Sequence, residues 1–214
     1  MMSSRAVSVL SATLLLFLTG CPRKDRPVMP MPPEPNPQPE VNKDAGVRTR
    51  DLSQKVAEFV SASREVPTND EGAYRRAVGQ VFADLSQILP LLQGPNPPGA
   101  FRQQMRIVQS SRNQLGSTSQ DLSADPTIDS GLRAVYAALV SVQQEQFAEQ
   151  AELSKILETL NARVNDLDTV RGPMHRETVK DAVTLIGQAV QRMSATMDQR
   201  MSEPGSRPAT APAT

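Results

Sequence analysis

The sequence predicts an all-α protein: a helical bundle that includes a long antiparallel helical hairpin of the coiled-coil type. From about residue 49 to residue 203, apolar residues recur at steps of three and four, the spacing of amphipathic helices packed side by side. Prolines and glycines separate these segments. No run shows the two-residue alternation of a convincing strand. The fold class follows from these observations.

The first two helices are delimited by residues typical of helix ends. The first begins at Asp51 and ends before Pro67. Thr68 and Glu71 match a capping box, in which the threonine binds free amides and the glutamate reaches back. They begin a second helix, which Gly94 ends. The apolar stripes of the two helices are Leu52, Val56, Phe59 and Val60, then Tyr74, Val78, Val81, Leu85, Ile88 and Leu92.

Three further helices follow. Asn96-Pro97-Pro98 supplies an N-cap followed by proline in the first turn, and so starts the third helix. Residues 128–170 contain no proline and predict one continuous helix about 65 Å long. Gly172-Pro173 then turns the chain into a fifth helix, from about Met174 to Met201, that is antiparallel to it. The third and fifth helices bury Phe101, Met105, Val108 and Leu115, then Val179, Val183, Ile186, Val190, Met193 and Met197.

The two helices of this hairpin differ in length. The fifth helix is too short to cover residues 128–142, the most apolar part of its partner, so those residues should pack against the first three helices. The sequence therefore predicts a compact bundle at one end and a two-helix arm at the other.

A polar run, residues 143–150, interrupts the long helix. Continuing the heptad places Gln146 and Glu149 on the buried side, where leucine is expected. Two explanations stay open. Either the register shifts so that Phe147 and Ala151 turn inward, or the hairpin contains a polar layer that specifies register, binds a small ligand or receives a partner helix.

The N-terminus carries the strongest motif of the chain. Arg5 is followed by an apolar run ending at Leu18, which is too short to cross a bilayer and has the proportions of a secretory signal. Leu18-Thr19-Gly20-Cys21 resembles the lipobox of bacterial lipoproteins: an aliphatic residue, two small residues and a cysteine. The resemblance covers residues 1–21. It implies cleavage between Gly20 and Cys21 and acylation of the Cys21 thiol, and two or three acyl chains hold a protein on a membrane for long times.

The chain divides by composition into four segments. Residues 1–20 form the lipoprotein signal peptide. Residues 21–48 comprise the acylated cysteine and a proline-rich spacer, whose restricted backbone keeps it extended. Residues 49–203 form the helical domain, and residues 204–214, with three prolines, form a disordered tail.

Composition excludes several function classes. Basic and acidic residues balance at 23 each, there is no tryptophan, and only two tyrosines occur. A nucleic-acid interface normally needs a basic face, so we expect no nucleic-acid partner. Cys21 is the only cysteine, and the only histidine, His175, lies at the hairpin turn, where we expect it to cap a helix end or face water. We therefore expect no enzyme and no cofactor beyond the covalent lipid.

One cluster of methionines suggests a metal. Met193, Met197 and Met201 are spaced by four, so their thioethers line one face of a helix. Thioethers are soft ligands that suit Cu(I). The same spacing is typical of core filling, because methionine adapts to gaps, and core packing is the favoured interpretation.

These features predict a location more sharply than an activity. The protein is expected on the extracytoplasmic side of an inner or outer membrane of a bacterial cell envelope, held by its lipid anchor. Its helical domain would act as a non-catalytic interaction or scaffolding module that binds a protein partner, or a second copy, through the hairpin. The alternative is a ligand-sensing bundle similar to the helical periplasmic domains of bacterial receptors, with a small molecule near the polar layer.

Overall fold

The computed structural model describes residues 43–116 and 124–202, and within these ranges the regular secondary structure is α-helix. The signal peptide, the lipobox, most of the spacer and the C-terminal tail lie outside the described residues. Six helices pack as a bundle, and no strand occurs within the described ranges, so the predicted fold class is confirmed. The helices are α1 (Lys43–Arg64), α2 (Glu71–Gln93), α3 (Gly99–Gly116), α4 (Ala124–Gln146), α5 (Ala151–Asp166) and α6 (Pro173–Ser202).

Helix α1 packs antiparallel along α6. Near one end, Ser53 Oγ donates to Asp198 Oδ2 at 2.8 Å. Near the other end the backbones are so close that a Cβ on Gly187 would lie 2.7 Å from Ser63 Oγ. Helix α5 packs against α6 as well. The predicted two-helix arm is therefore wrong, because α6 lies between α1 and α5.

The sequence holds the physical reason for this arrangement. Beside the predicted stripe of large residues, α6 buries small residues on both sides of that stripe. Gly187 lies on the side that meets α1, where the lack of a side chain lets the two helix backbones approach closely. These small buried residues are Ala182, Gly187, Ala189 and Ser194.

Helix α2 begins at Glu71 but is not capped by the predicted capping box. Its N-cap is Asp70, whose Oδ1 accepts a hydrogen bond from the Ala73 amide at 2.7 Å. Thr68 contributes only its backbone carbonyl, which accepts from Arg176 Nη1 at 3.2 Å. Glu71 forms ion pairs with Arg75 and Arg176. The Thr68–Glu71 capping box is therefore wrong, whereas Gly94 follows the helix with a φ of 90° as a terminating glycine should.

The predicted long helix is broken. Helix α4 ends at Gln146 and α5 begins at Ala151, so the continuous helix of about 65 Å over residues 128–170 is wrong. The break buries the Phe147 ring and leaves the Gln146 and Glu149 side chains in solvent. Arg200 of α6 fixes the break: its Nη1 donates to the Gln146 carbonyl at 2.8 Å and its guanidinium lies 5.3 Å from the centre of the Phe147 ring.

Neither explanation of the polar run holds as stated. Phe147 turns inward as the register shift requires, but Ala151 is exposed. The buried layer required by the other explanation would include Gln146, whose side chain is exposed. A continued helix would bury more polar side chains than the break does. Burying unpaired amides and carboxylates costs free energy, so the break is favoured. The hairpin survives in shortened form between α5 and α6, with Gly172 at a φ of 61° in its turn.

Candidate functional site

A groove runs along one face of α4. Helix α3 forms one wall, and the turn between α5 and α6 forms the other. Its volume is about 770 Å³, within the range of small-molecule sites. We call it the α4 groove; it is lined by Gln104, Ile107, Pro126, Asp129, Ser130, Arg133, Ala134, Ala137, Asp168, Arg171 and His175.

The groove exists because α4 carries small side chains there. Ser130, Ala134 and Ala137 are spaced by four and three, so they share one helical face. Ala134 is buried at the floor, and Ile107 packs partly buried against the core beside it. The floor is therefore apolar, and leucine-sized residues at the alanine positions would fill the space.

A histidine–aspartate pair closes one end of the groove. His175 Nε2 lies 2.8 Å from Asp129 Oδ1, joining the first turn of α6 to α4. The His175 side chain is only 1% exposed, so the expectation that it faces water is wrong. The sequence position at a turn suggested a surface residue, but the turn folds onto α4 and buries the ring. The pair holds the two helices together instead of presenting an imidazole to solvent.

The wall opposite α3 is charged. Arg133 Nη2 on α4 forms an ion pair with Asp168 Oδ1 at 2.6 Å, and both side chains are largely exposed, at 45% and 68%. Arg171 Nη1 donates to the carbonyls of Leu167 and Val170, at 3.1 and 2.6 Å. Within residues 43–116 and 124–202, Arg171 forms no ion pair with a carboxylate. The groove thus contains one guanidinium paired with an aspartate and one that binds only backbone carbonyls.

A second, smaller cavity of about 160 Å³ lies between α1 and α2. Asp84 lines it, and burial raises the pKa of this carboxyl above its usual value, while a hydrogen bond from Gln80 lowers it again in part. Lys55 Nζ crosses the cavity to Gln87 Oε1 at 3.3 Å. This volume lies below the usual range of ligand pockets.

The structure separates the three methionines by environment. Met193 is buried in the core, Met197 packs partly buried against it, and the Met201 side chain is 51% exposed. They occupy successive turns of α6 and pass from the interior to the surface. The first two therefore belong to the hydrophobic core.

Polar residues around the α4–α5 break bind one another. Gln150 Nε2 donates to Thr196 Oγ1 at 2.6 Å, and Gln143 Nε2 donates to Ser154 Oγ at 3.4 Å. Gln93 Nε2 donates to Glu145. These bonds join α2, α4, α5 and α6 at this end of the bundle. The cavity with the strongest convergence of charged groups lies instead along residues 126–137 of α4.

Sequence reasoning missed the residues of the groove. Asp129 and Arg133 are one turn apart on α4, but nothing local indicates that Asp168, Arg171 and His175 fold against them. The sequence-predicted lipid attachment at Cys21 and cleavage at Gly20–Cys21 lie outside the described residues. A signal existed only in the run of alanines on a helix otherwise rich in large apolar residues.

Across the part of the chain that the structure covers, no helix is both long and apolar enough to cross a membrane. No group of three or more histidine, cysteine, aspartate or glutamate side chains in these residues is arranged to hold a metal ion. Comparison of the chain with protein-family models, curated proteins and solved structures gives no match.

Proposed function

We propose that the protein is a lipid-anchored binding protein on the extracytoplasmic side of a bacterial membrane, and that it binds a small molecule in the α4 groove. The observation that carries the binding role is the groove itself: an apolar floor beside converging guanidinium, carboxylate and amide groups. Ligand sites typically combine an apolar surface with a few placed polar groups. The proposed role is binding without catalysis, and in it the His175–Asp129 pair holds α6 against α4.

The groove is a better-supported binding surface than the hairpin. A scaffolding role through the hairpin assumed an apolar helix face awaiting a partner. Helix α6 is instead covered by α1 and α5. Among the described residues, the exposed large hydrophobic side chains are Leu91, Met174 and Met201, which are scattered over two helices. Such isolated residues are normal on a protein surface and do not form an interface.

The lipid anchor is supported by the lipobox resemblance. In cells grown with a clickable palmitate analogue, the full chain should be labelled and should fractionate with membranes. Cys21→Ser should lose the label and remain an uncleaved precursor, because the thiol is the acylated group. Thr19→Ser is the matched control, since it keeps a small residue and should be labelled normally. Equal labelling of the Cys21→Ser chain would remove the anchor from the proposal.

Binding in the groove is tested by site-specific photocrosslinking in intact cells. Gln104 lines the groove and its neighbour Gln103 is exposed outside it, so p-benzoylphenylalanine at the two positions gives a matched pair. The Gln104 variant should gain a specific adduct of small mass, read by mass spectrometry of the purified chain. Adducts of the same kind at both positions would contradict the proposal. An adduct with another protein chain at position 104 alone would instead support a protein-interaction module.

A further inference from the structure

We propose that the α4 groove selects a small organic carboxylate with an aliphatic chain, bound chiefly by Arg171. This inference rests on the proposed function, because it names the chemical class of the ligand for the same groove. The observations that carry it are the pairing state of the charged groups on the groove wall and the apolar character of the floor.

The carboxylates that line the groove are already engaged. Asp129 is held by His175 at 2.8 Å, and Asp168 is held by Arg133 at 2.6 Å. Both carboxylates of the groove therefore have cationic or hydrogen-bonding partners. Arg171 differs: its observed bonds run from one nitrogen, Nη1, to backbone carbonyls, and no described carboxylate pairs with it. The guanidinium has five donors, so most of its capacity is left for an anion.

The Arg133–Asp168 ion pair is part of the groove lining. Both side chains are largely exposed, and exposed ion pairs contribute little net stability. The pair shows that a carboxylate fits against Arg133 at this edge of the groove. Asp168 is thus an intramolecular competitor for Arg133, and the same groove is lined by Arg171, which pairs with no carboxylate among the described residues. Guanidinium and carboxylate match each other in shape as well as charge.

The floor of the groove favours a ligand with a hydrocarbon part. Ile107, Ala134 and Ala137 form an apolar surface next to the charged wall. A ligand that is only an anion, such as inorganic phosphate, leaves this surface in water. An aliphatic chain covers it and gains free energy in proportion to the area that is removed from water. The groove therefore favours a carboxylate with a hydrocarbon chain over a bare anion.

The test is calorimetric titration of the full chain with unbranched carboxylates from butanoate to octanoate. Each is compared with its primary amide, which has nearly the same shape but no charge, and inorganic phosphate is a third probe. We expect binding of the carboxylates that strengthens with chain length. The amides should bind roughly ten- to a hundredfold more weakly, the ratio that follows from losing a hydrogen bond to a charged group. Phosphate should bind more weakly than octanoate.

Variants assign the binding to the groove. Arg171→Gln should weaken octanoate binding about tenfold or more, because it removes the charged donor that is proposed to bind the ligand carboxylate. Arg163→Gln is the matched control: Arg163 is an exposed arginine on α5 that pairs with Asp166 outside the groove, and its replacement should leave binding unchanged. Asp168→Asn should strengthen octanoate binding, because the ligand carboxylate no longer competes with Asp168 for Arg133. Ala137→Leu should weaken it by filling the floor.

The outcomes separate this inference from the proposed function. Equal binding of carboxylates and amides, lost in Ala137→Leu, overturns the carboxylate class and leaves the groove as a ligand site. Binding that is unaffected by Arg171→Gln and by Asp168→Asn also overturns it. If no carboxylate binds, the inference fails whatever the crosslinking shows, and the proposed function fails only if position 104 also gives no specific adduct.

Discussion

Among the described glycines, Gly131 is the one at which an added Cβ would meet its neighbours most closely. It lies on α4 where that helix crosses α2, and a Cβ built on it would be 2.6 Å from Cε2 of the Phe82 ring. Phe82 is fully buried, so its ring cannot swing away. Glycine is unfavourable in a helix interior, and its presence here is explained by the close approach that it permits.

Gly131→Ala should therefore destabilise the protein in spite of the better helix propensity of alanine. Forcing a methyl group into a packed core costs about 1–3 kcal/mol of unfolding free energy. Gly79→Ala is the control, because its Cβ would meet Leu115 Cβ at an ordinary 3.7 Å. That variant should gain up to about 1 kcal/mol from helix propensity. Urea unfolding followed by circular dichroism measures both, and a stabilised Gly131→Ala protein would refute the contact.

Asp84 should make stability depend on pH in a defined direction. Burial raises the pKa of its carboxyl in the folded state above the ordinary 3.8. The folded state thus favours the protonated form, so the stabilising contribution is full below the ordinary pKa and is lost as pH rises through the raised one. Asp84→Asn, which stays uncharged, should be more stable than the wild type at neutral pH.

The measurement is urea unfolding of Asp84→Asn and the wild type at neutral pH and below pH 3.8. The advantage of the variant should shrink at the acidic pH, where the wild-type carboxyl is protonated in both states. Asp181→Asn is a suitable control, because Asp181 is exposed on α6. An advantage that grows as the pH falls would have the wrong sign and would contradict the assignment.

At the level of elements, the start of α2 distinguishes two capping residues. Asp70 Oδ1 accepts from the Ala73 amide, whereas the Thr68 side chain plays no capping part in the structure. Asp70→Ala should lower the unfolding free energy by about 1 kcal/mol, the usual value for a lost N-cap. Thr68→Ala should change it much less, because only the backbone carbonyl of residue 68 bonds to Arg176. A larger loss of unfolding free energy in Thr68→Ala than in Asp70→Ala, measured by urea unfolding, would support the capping box instead.

Sequence reasoning succeeded where the determinant is local. The buried stripes of α1 and α2 follow from the spacing of residues such as Leu52 and Val78 alone. The break after Gln146 did not follow, because Arg200 fixes it from 54 positions away. The α4 groove was missed for a related reason: alanines such as Ala137 are equally compatible with a packed core, and only the fold shows what lies opposite them.

On the scale of the molecule, the described helices share one hydrophobic core. Buried residues from all six helices belong to a single cluster, from Leu52 of α1 to Met193 of α6. No separate arm exists that could unfold by itself within this part of the chain. Unfolding should therefore be one cooperative transition.

Phe59→Ala tests this cooperativity. Phe59 is buried on α1, and truncating a buried phenylalanine costs about 3–5 kcal/mol. If the core is shared, the loss should lower the unfolding midpoint equally for helix content, read by circular dichroism, and for tyrosine fluorescence, which reports on Tyr74 in α2 and Tyr136 in α4. Two separated transitions in the variant would show that α1 and α6 form an independent unit. Ala57→Ser, at an exposed position of the same helix, should leave the midpoint nearly unchanged.

The antiparallel contact between α1 and α6 joins the first and last helices of the described part. A ribosome, or a pore through which the chain is threaded, releases α1 before the whole of α2 to α5 and only then α6. Until that moment Val60 and Ser63 have no α6 to cover them, so the native core cannot close on a chain that is still being made. Because of this connectivity, the complete core forms only after α6 has been released. A nascent chain that is held at the end of α5 would expose the apolar face of α1 to chaperones.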